Sequence, residues 1–305
     1  MVAGDLFVDI IMSGFAFWPK PGQEAVAHEF CREMGGGAAI TACGLAKLGA
    51  KAGVLGVVGS DVGPWVIDRF RRYGVETSGI HYDLDEPTAF TVAISSPSDR
   101  TFFTYRGANI VFPRILMDAA TERMLSHARH VHLGCAPELD SIQELIQALR
   151  ANDCGISLDV GWHEPWLSDP RAMAAVRRLD IFFPNETEAS RMTGEADPER
   201  MLERFREEEV KAVVLKLGER GAGMLWQDRI WFTQPHHVEP LDTTGAGDCF
   251  DAGFLYAWLN GEDPNTCLRA AAICGALSTE ALGGLAGFPS RQRLEEELKK
   301  LECTK

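Results

Sequence analysis

The sequence predicts a doubly wound α/β protein carrying a small extra β layer, on three observations. Short β-branched or aromatic runs recur at 53–58, 130–135, 155–160, 179–184 and 212–217. Near-continuous apolar strands of this kind belong to a mostly parallel sheet with helices on both faces. The stretches between them carry helical period, as at 141–152, where Ser141 and Glu144 have capping-box spacing. Two stretches break the rhythm. Residues 11–34 hold Phe15, Phe17, Trp18, Pro19 and Pro21 without a long helical period. Residues 88–106 read as alternating strands, 88–95 and 100–106, about a turn at Ser96-Pro97-Ser98-Asp99. Both are expected in a small antiparallel layer, and with no repeat or evident linker, residues 1–305 are expected to form one domain bearing it.

Charge and cysteine usage narrow the function classes. Lys and Arg number 30 against 44 Asp and Glu, a formal net charge of −14. Such a field repels phosphate backbones and argues against nucleic-acid binding, though not against a small anion held locally. The best candidate membrane span, 38–58, contains Lys47 and Lys51, and the opening residues lack a basic stretch followed by an apolar one. No membrane association is expected. The eight cysteines form no CxxC pair, and Cys43, Cys267 and Cys274 lie in apolar helical stretches. They read as reduced thiols packed as small core residues, which points to the cytoplasm.

The stretch with most chemistry is Asp242-Thr243-Thr244-Gly245-Ala246-Gly247-Asp248, followed by an apolar helical segment at 249–260. Small residues let successive backbone N–H groups point one way at a helix N-terminus, which makes an anion hole of Gly245, Ala246 and Gly247. An aspartate ending such a turn repels a bound phosphate. Its presence makes sense if Asp248 takes a proton from a hydroxyl attacking that phosphate. A glycine-rich turn with Asp248 as a helix cap is the plainer alternative.

This signature resembles the C-terminal motif of the PfkB-type, or ribokinase-like, carbohydrate kinases. Further matches occur in family order over nearly the whole chain. Gly35-Gly36 with Ala42 and Leu45-Ala46-Lys47-Leu48-Gly49 resembles the N-terminal motif, and Thr104-Tyr105-Arg106-Gly107-Ala108-Asn109 resembles the lid strand and its return. Asn185-Glu186-Thr187-Glu188 is similar to the N-x-x-E element, and Lys216-Leu217-Gly218-Glu219-Arg220-Gly221-Ala222 to the strand-turn-strand beside the nucleotide.

The resemblance implies an ATP-dependent kinase acting on a hydroxyl of a small sugar or sugar-like substrate, with lid segments at 11–34 and 88–106 and Asp248 as general base. It implies substrate contacts from Asp9, Gly35, Gly36, Arg106, Asp248 and the position of Ile40. It implies ATP contacts from Asn185, Lys216, Gly218, Gly221, Thr244, Gly245 and Gly247. Mg²⁺ would be organised by Asn185 and Glu188 through water, a monovalent cation is compatible, and a homodimer could form through the lid. A nucleoside kinase and a non-catalytic sugar- or nucleotide-sensing member are the alternatives within the fold.

Plainer readings accompany several of these residues. Asn185 can be a helix N-cap, Lys216 a snorkelling strand-end lysine, and Gly218 and Gly221 simple turn residues. His130 and His132 read as core histidines, and His236-His237 as part of a strand leading to the signature. Ile40 stands where the family usually has Asn, and Val160-Gly161-Trp162-His163 replaces the family's Pro-Asn-x-Arg after Asp159. Both departures touch the substrate side and leave the phosphate side intact. Neither a Walker loop nor a Rossmann G-x-G-x-x-G is present.

Overall fold

The computed structural model describes residues 1–95 and 100–302. Its strands in the first half of the chain are β1 (Val2–Ala3), β2 (Phe7–Ser13), β3 (Glu29–Gly35), β4 (Gly53–Gly59), β5 (Glu76–Asp83), β6 (Phe90–Ser95) and β7 (Arg100–Tyr105). The second half supplies β8 (His130–Leu133), β9 (Gly155–Leu158), β10 (Ile181–Phe182), β11 (Ala212–Lys216), β12 (Ala222–Trp226) and β13 (Arg229–Thr233). Nine of them form the central sheet, in the order β13-β12-β11-β10-β9-β8-β1-β4-β5. All its pairings are parallel except those of β12, which runs antiparallel to both neighbours.

The expected parallel strands are present, shortened at several ends, because each is buried on both faces and mostly apolar. Every residue of β4 is buried, as is every residue of β8. One core layer packs Leu45, Phe254, Leu268 and Ile273 against the sheet, and the layer on the opposite face uses Phe112, Ile146 and Phe205. Helices therefore cover both faces.

The other four strands form a second sheet, ordered β3-β2-β6-β7. Its two outer pairings are antiparallel, while the central β2–β6 pairing is parallel. The layer starts at Phe7 rather than residue 11. Val8, Ile10 and Met12 fall on one face and Asp9 and Ile11 on the other, the period-2 pattern of a strand. The expected turn at 96–99 lies outside the described residues.

The chain crosses between the two sheets near Leu6, Gly36, Ala89 and Arg106, and these crossings are tied together. The Asn109 amide group spans the Leu6 peptide units, accepting from Leu6 N at 3.1 Å and donating to Leu6 O at 3.0 Å. Ala108 N donates to Pro87 O at 2.8 Å, and Val8 N to Ala89 O at 2.9 Å. Gly36 has φ 95°, and a side chain there would strike the carbonyl oxygen of Asp5.

Two local expectations fail for identifiable reasons. Ser141 caps its helix by position, but with ψ near 0° its side chain makes no capping hydrogen bond. The pair His236-His237 is not in a strand: β13 ends at Thr233, and Pro235 and Pro240 remove the N–H groups that an extension would need.

Candidate active site

Three elements converge at the C-terminal edge of the parallel strands, where open α/β sheets hold ligands. They are β2 with Asp9, the Gly35-Gly36-Gly37 turn, and the signature helix Ala246–Leu259. Gly245 precedes that helix with φ 70° and no side-chain cap. Asp242, 4 % exposed, braces the turn by accepting from Thr244 N at 2.8 Å and from Gly283 N at 2.9 Å.

The turn does not use its amides as the sequence implied. Ala246 N donates to Thr243 O at 3.2 Å, so this amide belongs to the turn. Among the described residues the amides of Gly245 and Gly247 have no protein acceptor, and they remain the free donors of the helix N-terminus.

The glycine triple fits acids on every side. A side chain on Gly35 would overlap the Asp9 carboxylate, and one on Gly37 would place Cβ 2.6 Å from Asp248 Oδ1. Gly37 was not among the residues singled out from sequence. Thr41 Oγ1 donates to Asp248 O at 3.1 Å and ties the helix after the triple to the signature helix. Ile40 is 4 % exposed, and its Cδ1 lies 2.5 Å from where a Gly245 side chain would begin. It packs beneath the Gly245 turn and against Gly284, which leaves its methyl groups filling core space.

On the opposite side Arg106 pairs with Asp5 at 3.1 Å, with the guanidinium largely exposed. Asp5 is a second acid that the sequence reading missed. Asn185 caps the helix Glu186–Thr193 in a complete capping box. Glu188 N donates to Asn185 Oδ1 at 2.9 Å, and Asn185 N donates to Glu188 Oε2 at 2.9 Å. Asn185 Nδ2 also donates to Glu188 Oε1 at 2.7 Å. The capping reading of this pair is thus realised. Gly218 and Gly221 shape the turn between β11 and β12, and a side chain on Gly221 would strike the Thr233 carbonyl.

Lys216 ends β11 and bridges to Asn185 through the backbone. Its ammonium lies 2.6 Å from Asp159 Oδ2 and 3.4 Å from both carboxylate oxygens of Asp251. Asp251 is wholly buried, one turn beyond Asp248 on the same helix. Its i, i+3 spacing from Asp248 was the sequence clue to it. Beside this group His130 Nε2 and His132 Nδ1 both meet Ser157 Oγ, at 2.7 and 2.9 Å. Burial lowers both histidines, to about 4 and about 3, so they are neutral core residues.

The charges are unbalanced. Asp159, Glu188, Asp248 and Asp251 surround one ammonium. Burial, reinforced by the neighbouring carboxylates, pushes Asp248 up to about 7. Burial alone raises Asp9 to about 6. Burial and the Asp159 charge also raise Glu188. Burial opposes the Lys216 charge, but Asp159, Asp251 and Glu188 outweigh it and hold the ammonium above its ordinary range. A carboxylate near 7 at a helix N-terminus, beside unpaired amides, has the proton affinity of a general base working at neutral pH.

The description "pfkB family carbohydrate kinase" matches residues 3–291. An uncharacterized sugar kinase of Archaeoglobus fulgidus is 30 % identical over 251 residues, covering 81 % of this chain and 98 % of that protein. A 2-dehydro-3-deoxygluconokinase of Bacillus subtilis is 27 % identical, covering 87 % of this chain and 86 % of its own length. The crystal structure of a putative ribokinase II from E. coli in complex with ATP and Mg²⁺ superimposes with a TM-score of 0.83 at 26 % identity, covering 98 % of both chains. Among the described residues no helix is long and apolar enough to cross a membrane. With its signature turn, glycine triple and lid sheet in one crevice, the chain belongs to the pfkB family of carbohydrate kinases.

Proposed function

We propose that the protein transfers the γ-phosphoryl group of ATP to a hydroxyl of a small sugar or sugar-like substrate, with Asp248 as general base. The observation that carries this is the placement of the Asp248 carboxylate over Gly37, beside the free Gly245 and Gly247 amides and raised to about 7. Asp9, Gly35 and Gly36, with Arg106 beside Asp5, line the side from which the substrate is held. The attacking hydroxyl forms the new O–P bond as Asp248 takes its proton, and the bond from the γ-phosphorus to the β-phosphate oxygen breaks to release ADP. The amides meet the negative charge gathering on the phosphoryl oxygens. The turn around Thr244, Gly218 and Gly221 accommodates the nucleotide.

The fit to Mg²⁺ rests on the donor set. Four carboxyl groups, Asp159, Glu188, Asp248 and Asp251, lie around one ammonium, and all offer hard oxygen donors. Among the described residues no group of three or more ligands is assembled for a metal. Asn185 and Glu188 would hold Mg²⁺ through water, and the ion would neutralise phosphate charge.

The lid face away from Asp9 presents Phe30, Phe90, Phe103 and Tyr105, with Phe30 69 % exposed. A second copy of this chain covers that face in the same reading.

The test is a coupled assay of ADP release from Mg·ATP over a panel of sugars, sugar acids and nucleosides, repeated with and without K⁺. Turnover is expected with at least one sugar or sugar acid. Exclusive use of nucleosides moves the assignment to a nucleoside kinase, and ATP binding without turnover of any alcohol overturns the catalytic reading.

A further inference from the structure

Strand β3 is an edge of the lid sheet, with β2 as its strand neighbour. Two of its residues, Arg32 and Glu33, reach out of the lid to the helix Gly63–Arg72. The Arg32 guanidinium lies 4.5 Å from the centre of the Trp65 ring. Glu33 pairs with Arg69, whose own guanidinium lies 5.8 Å from the centre of that same ring. Both arginines are within cation–π range. Trp65 and Arg69 are four residues apart and share one helix face, whereas consecutive Arg32 and Glu33 leave their strand on opposite faces. One helix face therefore grips the strand from both sides.

The grip does little for overall stability. The Glu33 and Arg69 side chains are 37 and 26 % exposed, and ion pairs of that exposure add little to it. Among the described residues Arg69 Nε is buried with no acceptor, which works against stability. What the grip does is local. Asp9 and Glu33 stand directly opposite each other across β2 and β3. Two like charges so placed repel, and Arg69 supplies the opposite charge that offsets this. The Asp9 carboxylate occupies the space that Gly35 leaves open, and Gly35 belongs to β3. The seat of Asp9 is thus part of the gripped strand.

The same strand abuts the signature turn. Glu33 Cγ lies 3.7 Å from where a Gly283 side chain would begin, and Gly283 N donates to Asp242 Oδ2 at 2.9 Å. Arg32 and Glu33 also lie close to Gly36, where the chain leaves the lid. The clamp fastens the end of β3 nearest that crossing.

We propose that Trp65 and Arg69 are positioning residues, which hold β3 against the helix Gly63–Arg72 and so fix Asp9 in front of the substrate hydroxyls. The role of Asp9 rests on the kinase reading above. The clamp itself is measurable without any substrate, so the two can fail separately.

The first measurement is hydrogen exchange on the whole chain with no nucleotide or sugar. The variant Trp65→Leu/Arg69→Met keeps apolar bulk on the helix and removes both contacts. Amides in 7–13 and 29–35 are expected to exchange about tenfold faster, with 53–59 and 212–216 unchanged. Trp65→Phe keeps a ring for Arg32 and should stay within about twofold of wild type. Unchanged exchange in the lid strands of the double variant overturns the proposal. Uniform acceleration of lid and core strands, the mark of a merely stabilising contact, overturns it too. Should the double variant not fold, Glu33→Gln is read by the same standard, with acceleration by about threefold expected and none overturning the proposal.

The second measurement is the coupled assay, with the panel acceptor of highest kcat/KM as probe. In the double variant the KM for that acceptor should rise by about tenfold while the KM for Mg·ATP stays within about twofold. Equal rises in both overturn the positioning of Asp9. A wild-type chain that turns over no acceptor, alongside the expected exchange, would sink the kinase reading and leave the clamp standing.

Discussion

Asp248 and Gly37 occupy complementary space: the carboxylate of one fills the volume where the other would carry a side chain, 2.6 Å from Oδ1. The glycine triple is therefore more than a flexible turn. Gly35 makes room for Asp9, Gly36 adopts a left-handed backbone beside the Asp5 carbonyl, and Gly37 makes room for Asp248.

Gly37→Ala tests this relationship. Gly37 opens its helix without a positive φ, so alanine suits the backbone there. The methyl group must push the carboxylate aside. We expect kcat to fall by about 10²-fold, since misplacement of a reacting group by an ångström costs on that order. The melting temperature should change little. Normal turnover in a folded variant would show that the carboxylate does its work from elsewhere.

Removing the base has a larger effect and a pH signature. Asp248→Asn should lower kcat by about 10²–10⁴ while ATP still binds. The base accepts a proton only when ionised, and its pKa is raised to about 7. The profile of kcat/KM in the wild-type chain should therefore fall as pH drops through about 7, and this limb should vanish in the variant. An acidic limb near the ordinary carboxylate range would remove Asp248 from the role.

The capping box separates stability from metal dependence. Asn185→Ala removes the side-chain cap and should cost about 1 kcal/mol in a denaturant titration. Glu188→Gln keeps only one of the two oxygen acceptors that Asn185 uses, so it should cost about 1 kcal/mol in the same titration. Its Mg²⁺ requirement for half-maximal rate should rise much more than the sugar KM. An unchanged Mg²⁺ profile would confine Glu188 to capping.

The exposed lid aromatics predict assembly. Light scattering on the wild-type chain should give a dimer, and Phe103→Asp should give a monomer with an intact fold. A wild-type chain that stays monomeric at high concentration would leave those rings without this partner.

Much of this was readable in the residues, for physical reasons that can be named. Parallel strands betray themselves because burial on both faces demands near-continuous apolar runs, as in β4 and β11. The signature turn is readable because only small residues allow consecutive amides to converge. Asp5, Gly37 and Asp159 were not readable beside the candidate site, since their meaning is a distance between segments far apart in the chain, whereas Asp251 was hinted at only by its spacing from Asp248. Glu188 and Ser141 show the same limit locally. Capping-box spacing occurs at both helices, but the backbone torsions of the cap decide whether the bond forms, and these depend on the preceding loop.

Asn109 holds both polar groups of Leu6, and neighbouring bonds join Pro87 to Ala108 and Val8 to Ala89. The lid is thus hung from one stitched seam instead of four separate threads. A plate hung this way has a single line to swing about, and Asp9, three residues beyond Leu6 and next to the Val8–Ala89 bond, lies close to that axis. Under the proposed function, a swing about that line would change what covers the substrate far more than where Asp9 meets it. Substitutions at the far edge of the sheet would then alter admission of substrate, and substitutions at the hinge its alignment with Asp248.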